Sequence, residues 1–441
     1  MPTQAELVAS RLGERTVASP LGLSTARSDV VPHYVPDRAG VLLDIETPDS
    51  QTFPPPLVFE RAGPRDKIFF DPKKTKVGIV TCGGLCPGIN NVVRSMVLEL
   101  FHSYGVEQIV GFRYGFMGID PTSGVDPIRL GPDEVRSVHK HGGSFLGMSR
   151  GAHDPKAMAA TLERLAIDVL FAIGGDGTLR GAHAIHEEVT RRGLPIGVVG
   201  VPKTIDNDVP YVDKTFGYDT AVEAASHVID AAHSEAIGAY NGIGLVKLMG
   251  RESGFIAAAA TLASREVNFC LVPEVSFELD GPHGLLAALE KRVRERRHAV
   301  VVVAEGCGAS LVGADAERDA SGNVRYGAAG ADVGTRLRDA ITRHFVTAGM
   351  SASVKYIDPS YVLRGVPANA QDAIYCDALA RNAVHAGMAG KTDLVIGRLH
   401  RVFTHVPLPV ATSQRKQIDP HGGLWLAVTE ATGQRRLVAP R

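Results

Sequence analysis

From Lys76 onward, short β-branched runs alternate with longer amphipathic ones: VGIVT (77–81) precedes NNVVRSMVLELFHSYG, VLFAI (169–173) precedes TLRGAHAIHEEVTRRG, and IGVVGV (196–201) follows. A strand buried on both faces reads as a continuous apolar run, and the stretches between are long enough for crossover helices. Such βαβ connections are right-handed, so the pattern predicts an α/β fold with a mainly parallel sheet. The habit returns in the second half. IGLVKLM (243–249) leads into SGFIAAAATLASR, LVPEV (271–275) into GLLAALEKRVRERRH, and AVVVVAEG (299–306) into an insertion-like stretch containing DASGN. DVGTRLRDAITRHFVTAG then reads as a helix, and VKYIDPSYVLRG as a strand running into a loop. No short-period repeat is present; there are two successive α/β halves, with a ligand crevice expected between them outside the carboxyl ends of the strands.

The first 75 residues differ, with SPLGLS, VPHYVPDRAG and TFPPPL rich in proline and turn formers, and they read as an extended N-terminal arm. A chain of 441 residues, 44% hydrophobic with a net charge of -1, can fill two cores and carries no charge excess for nucleic acid or a membrane surface. Its longest apolar run, AVVVVA, is far shorter than the roughly 18 residues that span a bilayer. The start lacks a secretory pattern, with Glu6 and Glu14 early in it, and five cysteines are an odd, scattered set. Both features predict a cytoplasmic protein without a disulfide framework, and Cys82 and Cys86 lack the second pair that zinc requires. The basic run KRVRERRH (291–298) reads as the solvated face of a helix.

Four motifs fall where strands end. In TCGGLCPGINN (81–91) the glycines let the backbone approach an anion at a helix N-terminus, or simply make a tight turn. In IGGDGTLRG (173–181), Gly174, Gly175 and Gly177 can present amides to phosphate oxygens, while Thr178 can cap the helix. Asp176 beside phosphate requires a cation such as Mg²⁺ between them; otherwise it is a turn residue. VPKTIDNDVP (201–210) places Asp206 and Asp208 two residues apart behind Lys203 and Thr204: a base, a metal-side acid and a phosphate cation, or an Asx-type turn. KLMGRESG (247–254) offers Arg251 to an anionic ligand or to a surface salt bridge.

In this order and spacing, IGGDGT, PKTIDND, LMGRESG, VVAEG and YVLRG resemble the 6-phosphofructokinase family from about residue 76 to 405. The TCGGLCPG and DPSYVLRG versions are similar to its atypical branch, close in sequence to pyrophosphate-dependent enzymes. The resemblance implies two Rossmann-like parallel-sheet domains with the active site in the cleft between them. The N-terminal extension would cover residues 1–75, an ATP-binding domain 76–211, completed by part of 365–441, and a sugar-phosphate-binding domain 212–364.

Site roles follow from the same resemblance. Gly83, Arg150 and Gly151 (in LGMSRG), Gly175, Gly177 and Thr178 would bind ATP, with Asp176 on Mg²⁺. Asp206 would be the base that takes the proton of the sugar's 1-hydroxyl, with Arg150 and Lys203 beside the transferred group. Thr204, Ile205, Asp208, Met249, Gly250, Arg251, Glu305, Tyr361 and Arg364 would bind fructose 6-phosphate, and a homodimer or homotetramer is implied, with Lys355 a candidate phosphate contact across subunits. Lys203 is the pyrophosphate-type residue at its position, whereas Gly177 is the ATP-type one, because pyrophosphate enzymes carry an aspartate there. A carboxylate at 177 would intrude on the α-phosphate side of a nucleotide, so Gly177 points to ATP; pyrophosphate is the alternative donor.

Overall fold

The computed structural model describes residues 2–26, 28–46, 55–307 and 332–438. They form two compact units. Among the described residues, no helix is long and apolar enough to cross a membrane, and all five cysteines are buried free thiols.

The first unit comprises Met1–Thr204, Val209–Gly217 and Val366–Arg415. Five strands at its centre are parallel, in the spatial order Leu394–Leu399, Gly197–Pro202, Val169–Gly174, Lys76–Thr81 and Gln108–Phe112. Alternate side chains leave opposite faces. Leu170, Ala172 and Val198 share a core with Met158, Leu162, Leu179 and Ile185 of the helices Pro155–Arg164 and Asp176–Arg191. Phe171 turns the other way, onto the helix Ala370–Met388, where a Cβ on Gly387 would stand 2.8 Å from its ring. The chain starts at Lys76–Thr81, adds Gln108–Phe112 on one side and then Val169–Gly174 on the other. The loops after these strands therefore flank the point where strand order reverses, which is where open α/β sheets hold their ligands.

Antiparallel strands extend this sheet at both margins. Ile128–Leu130 pairs with Gln108–Phe112, while Val402–Pro407, Val58–Arg61 and Gly40–Leu42 continue the opposite edge. The N-terminal region is thus woven into the first unit, and Ser10–Arg11 also pairs with Lys391–Thr392. Glu60 anchors this edge, meeting Arg65 at 2.8 Å, Lys391 at 2.5 Å and His405 at 3.4 Å. Burial opposes its charge, but His405 and Lys391 outweigh that and hold the carboxyl well below the usual range.

The second unit comprises Ile205–Asp208, Tyr218–Gly365 and Lys416–Arg441. Its four strands are all parallel, in the order Phe269–Leu271, His298–Ala304, Gly242–Leu248 and Ser353–Ile357. The strand expected at 271–275 lies two residues earlier, because Pro273 cannot donate to a ladder. The stretch expected to run from Ile357 into a loop instead forms a short helix, Ser360–Gly365, with Asp358 accepting from the Ser360 amide at 3.1 Å. The basic run lies on and just past the helix Leu285–Arg296, which buries Leu285, Leu286, Leu289 and Val293 and leaves Lys291, Arg294 and Arg296 exposed. The DASGN stretch lies outside the described residues. Along the chain, the crossing into the second unit comes at Ile205, with a return for Val209–Gly217, rather than at 211.

Candidate active site

In the first unit, strand pairing continues one residue past Thr81, as the Cys82 amide donates to the Ile173 carbonyl at 2.9 Å. Gly83 then turns with φ +90°, open to glycine at no steric cost, and its amide donates to Ser149 O at 3.2 Å. That bond sets the segment carrying exposed Arg150 and Gly151 beside the first glycine loop. Burial pushes the neighbouring Cys82 thiol up to about 12, against the pull of the Phe116 backbone, Lys203 and Thr178. Cys82 is therefore a neutral packing residue.

After Val169–Gly174, Gly175 stands at the N-cap and the helix Asp176–Arg191 begins at once, so Asp176, Gly177 and Thr178 form its first turn. The first amides of a helix lack intrahelical acceptors and favour anions. Thr178 is not the cap the sequence suggested. It is buried, with its side chain folded over Gly174, where a Cβ would meet its Oγ1 at 2.1 Å. Gly177 is exposed, and a Cβ there would meet nothing within 4 Å among the described residues, so packing does not demand glycine at 177.

Lys203 knits the two glycine loops together. Its amide donates to Gly174 O at 2.9 Å and its Nζ to Gly84 O at 2.7 Å, while its own carbonyl lies 3.3 Å from where a Gly175 Cβ would be. The residue is almost fully buried, and its ammonium lies at the turn of the first glycine loop. Asp176 is partly exposed, with Oδ2 3.1 Å from Arg180 Nε and 3.9 Å from Arg415 Nη2. Among the described residues no three His, Cys, Asp or Glu side chains are grouped as a metal cage. A divalent ion carried on a nucleotide needs only one or two carboxylates with phosphates and water, and a carboxylate at this helix N-terminus fits that requirement.

In the second unit, Ile205 and Asn207 are buried while Asp206 and Asp208 are half-buried. Asn207 makes the turn with φ +56°. The loop is pinned from outside: Ser253 Oγ donates to Asp206 O at 3.0 Å, and the Lys416 amide to Asp208 O at 2.9 Å. After Gly242–Leu248, Gly250 has φ +129°, and a Cβ there would lie 2.3 Å from Ser253 O, so only glycine fits. Gly306 donates to Gly250 O at 3.0 Å, which brings Glu305 Oε1 within 3.4 Å of Arg251 Nε. Met249 is half-buried beside them. Tyr361 is 81% exposed, with the Arg364 guanidinium 5.0 Å from its ring centroid.

Lys247, in the strand before Met249, is a further charged residue that sequence reading missed. Its Nζ meets Asp358 at 2.6 Å and Asp332 at 2.9 Å, and Tyr356 donates its hydroxyl to Asp332 at 3.1 Å. Burial opposes the ammonium, but the two carboxylates prevail and raise its pKa above the ordinary lysine value. The available signal was one lysine inside an otherwise apolar strand. Arg180, Arg415 and Lys416 were missed as well, and the SQRKQ stretch has no local pattern that marks it.

The phosphofructokinase family model matches residues 76–387. The chain is 47% identical over 385 residues to the ATP-dependent 6-phosphofructokinase of Borreliella burgdorferi, covering 86% of this chain and 85% of that one. It is 48% identical over 436 residues to the ATP-dependent 6-phosphofructokinase of Amycolatopsis methanolica, covering 96% and 94%. Among solved structures, a pyrophosphate-dependent phosphofructokinase from Marinobacter aquaeolei superposes with a TM-score of 0.65 at 22% identity, covering 79% of this chain and 86% of that one, a likeness of fold. A chain whose residues 76–387 match the family model, and which shares nearly half its residues with these relatives over most of its length, belongs to the phosphofructokinase family.

Proposed function

We propose that this protein transfers the γ-phosphoryl group of ATP to the 1-hydroxyl of D-fructose 6-phosphate, giving fructose 1,6-bisphosphate and ADP with release of one proton. The relatives named for this activity support the reading over nearly the whole chain. The structural observation that carries the choice of donor is Gly177: its exposed α-carbon faces open space at the helix N-terminus, which leaves room for the α-phosphate of a nucleotide.

The donor side consists of Gly83, Arg150, Gly151, Gly175, Gly177 and the backbone at Thr178. Asp176 would hold Mg²⁺, which would supply positive charge to neutralise the donor phosphates. Lys203 holds a buried cation against the same loops, so charge developing on the transferred group meets fixed donors rather than water. On the acceptor side, Arg251, Glu305, Met249 and Gly250 bind the sugar, and Tyr361 with Arg364 binds its 6-phosphate. Asp206 accepts the 1-hydroxyl proton as that oxygen attacks in line, while Thr204, Ile205 and Asp208 orient it. Five buried free thiols fit a reducing, cytoplasmic setting, and the active form is a homodimer or homotetramer.

The test is a donor assay with fructose 6-phosphate and Mg²⁺. Turnover with ATP and none with pyrophosphate is expected; turnover with pyrophosphate alone would reverse the donor assignment.

A further inference from the structure

In the second unit the strand Phe269–Leu271 stops before Pro273, so Glu274 of LVPEV stands in the loop at its carboxyl end rather than in the ladder. Its carboxylate takes amides from two other segments. Oε1 accepts from Gly254 N at 2.9 Å and from Ile418 N at 3.0 Å, and Oε2 lies 3.1 Å from the same Gly254 amide. Gly254 permits this approach, since a Cβ there would stand 2.3 Å from Val272 Cγ1 and 3.0 Å from Glu274 Oε2. Each of the two segments is also tied to the loop bearing Asp206. Ser253, buried and adjoining Gly254, donates its hydroxyl to Asp206 O at 3.0 Å, and Lys416, two residues before Ile418, donates its amide to Asp208 O at 2.9 Å. Gln417 Nε2 adds a bond to Glu252 O at 3.2 Å. The bonds run from Asp206 through Ser253 and Glu274 to Ile418 and back through Lys416 to Asp208, a closed ring. Glu274 belongs to neither segment and binds both.

We propose that Glu274 is a positioning residue for phosphoryl transfer, fixing the spacing between the loop bearing Asp206 and the loop bearing Arg251. The proposal rests on the reading that Asp206 takes the proton of the sugar's 1-hydroxyl and Arg251 binds the same sugar. One substrate then has to meet both loops at once. Their separation decides whether the hydroxyl reaches the base, and a misplacement of about 1 Å costs up to about 100-fold in rate. No helix or strand covers residues 249–254, so tethers rather than a ladder set where Arg251 stands. An ionised carboxylate suits that task, because bonds from amides to a charged oxygen are about twice as strong as neutral ones, and one oxygen can take two donors. Glu274 acts through backbone amides and touches no reacting atom in this scheme. Local sequence does not mark it, because LVPEV reads as a strand and the amides it binds come from residues 254 and 418.

The test is steady-state kinetics of the full-length protein with both substrates varied, comparing wild type with Glu274→Ala, Glu274→Gln and Arg251→Ala, alongside melting temperatures. Alanine removes all three bonds, so kcat/KM for fructose 6-phosphate should fall about 10- to 100-fold while the KM for ATP stays within about twofold of wild type. Glutamine keeps one oxygen for both amides, and its loss should be smaller, about three- to fivefold. Some loss of melting temperature accompanies alanine, because Gly254 is the N-cap of the helix Phe255–Ser264, and the kinetics are read well below it. Values of kcat/KM within about twofold of wild type in the Glu274 variants, with Arg251→Ala impaired, overturn the proposal alone. Unchanged sugar-phosphate constants in Arg251→Ala overturn the parent reading of the loop. Parallel losses in the constants for both substrates, tracking the melting temperature, make Glu274 a general structural residue and also overturn the proposal. Where the alanine variant does not fold, the glutamine variant decides among the same outcomes.

Discussion

The Nζ of Lys203 donates to the carbonyl oxygen of Gly84 at 2.7 Å, so a cation arriving at the end of one strand holds the loop at the end of another. Lys203→Met removes the donor and leaves a carbonyl without its partner in a site the lysine itself closes. A loss of about 1–3 kcal/mol in stability is expected, together with a raised KM for ATP. Chemical denaturation and steady-state kinetics check both; an unchanged KM for ATP would remove Lys203 from the donor side.

Asp206 separates binding from chemistry. Asp206→Asn keeps the shape of the loop, whose carbonyl is held by Ser253, but cannot take a proton. Base catalysis contributes about 10²–10⁴-fold, so kcat should fall by that range with sugar-phosphate affinity retained. Near-normal turnover would show that another group is the base.

Gly177 tests donor choice without disturbing the fold. A Cβ at this exposed position would meet no other part of the described fold within 4 Å, so Gly177→Asp should fold with a melting temperature near that of wild type. The new carboxylate would confront the α-phosphate, and ATP turnover should drop at least tenfold. Full ATP activity in the variant would detach donor choice from this position.

Lys247 holds two loops from inside the strand that ends at Leu248. Lys247→Met strands Asp332 and Asp358 without their cation, at a cost of about 1–3 kcal/mol given their partial exposure. Because Asp358 precedes the helix bearing Tyr361 and Arg364, the KM for fructose 6-phosphate should rise more than the KM for ATP. Equal changes in both constants would reduce Lys247 to a general stabilising residue.

The buried His385 makes stability depend on pH. Burial first, then Arg381 and Arg65, lower its pKa to about 3, and Tyr104 Oη lies 2.9 Å from Nδ1. Between roughly pH 6.5 and 3 the unfolded chain binds a proton that the folded one refuses, so stability falls as pH drops through that window. The slope approaches about 1.4 kcal/mol per pH unit for this group. Melting temperatures of wild type and His385→Gln between pH 7 and 5 should show a shallower decline in the variant; parallel curves would exclude His385 as a source.

The sequence by itself determined the α/β class, the succession of two sheet-bearing halves and the loops that carry Gly83, Gly175, Asp206 and Arg251. Those features are written within about ten neighbouring residues: continuous apolar runs make buried strands, and glycine or aspartate at their ends makes turns. Tertiary structure decided what local pattern cannot encode. Gly40–Leu42 and Val58–Arg61 are too short to show a period; Val58–Arg61 becomes a strand on the edge that Val402–Pro407 offers, and Gly40–Leu42 pairs with it in turn. Ile205–Asp208 belongs to the second unit because Ser253 and Lys416 bind its carbonyls there, not because of its composition. Thr178, read as a cap, turned inward because Gly174 leaves a space that only its side chain fills. Lys247 owes its place to ion pairs with Asp332 and Asp358, both distant in sequence, and charges meeting across the fold leave no periodicity to read.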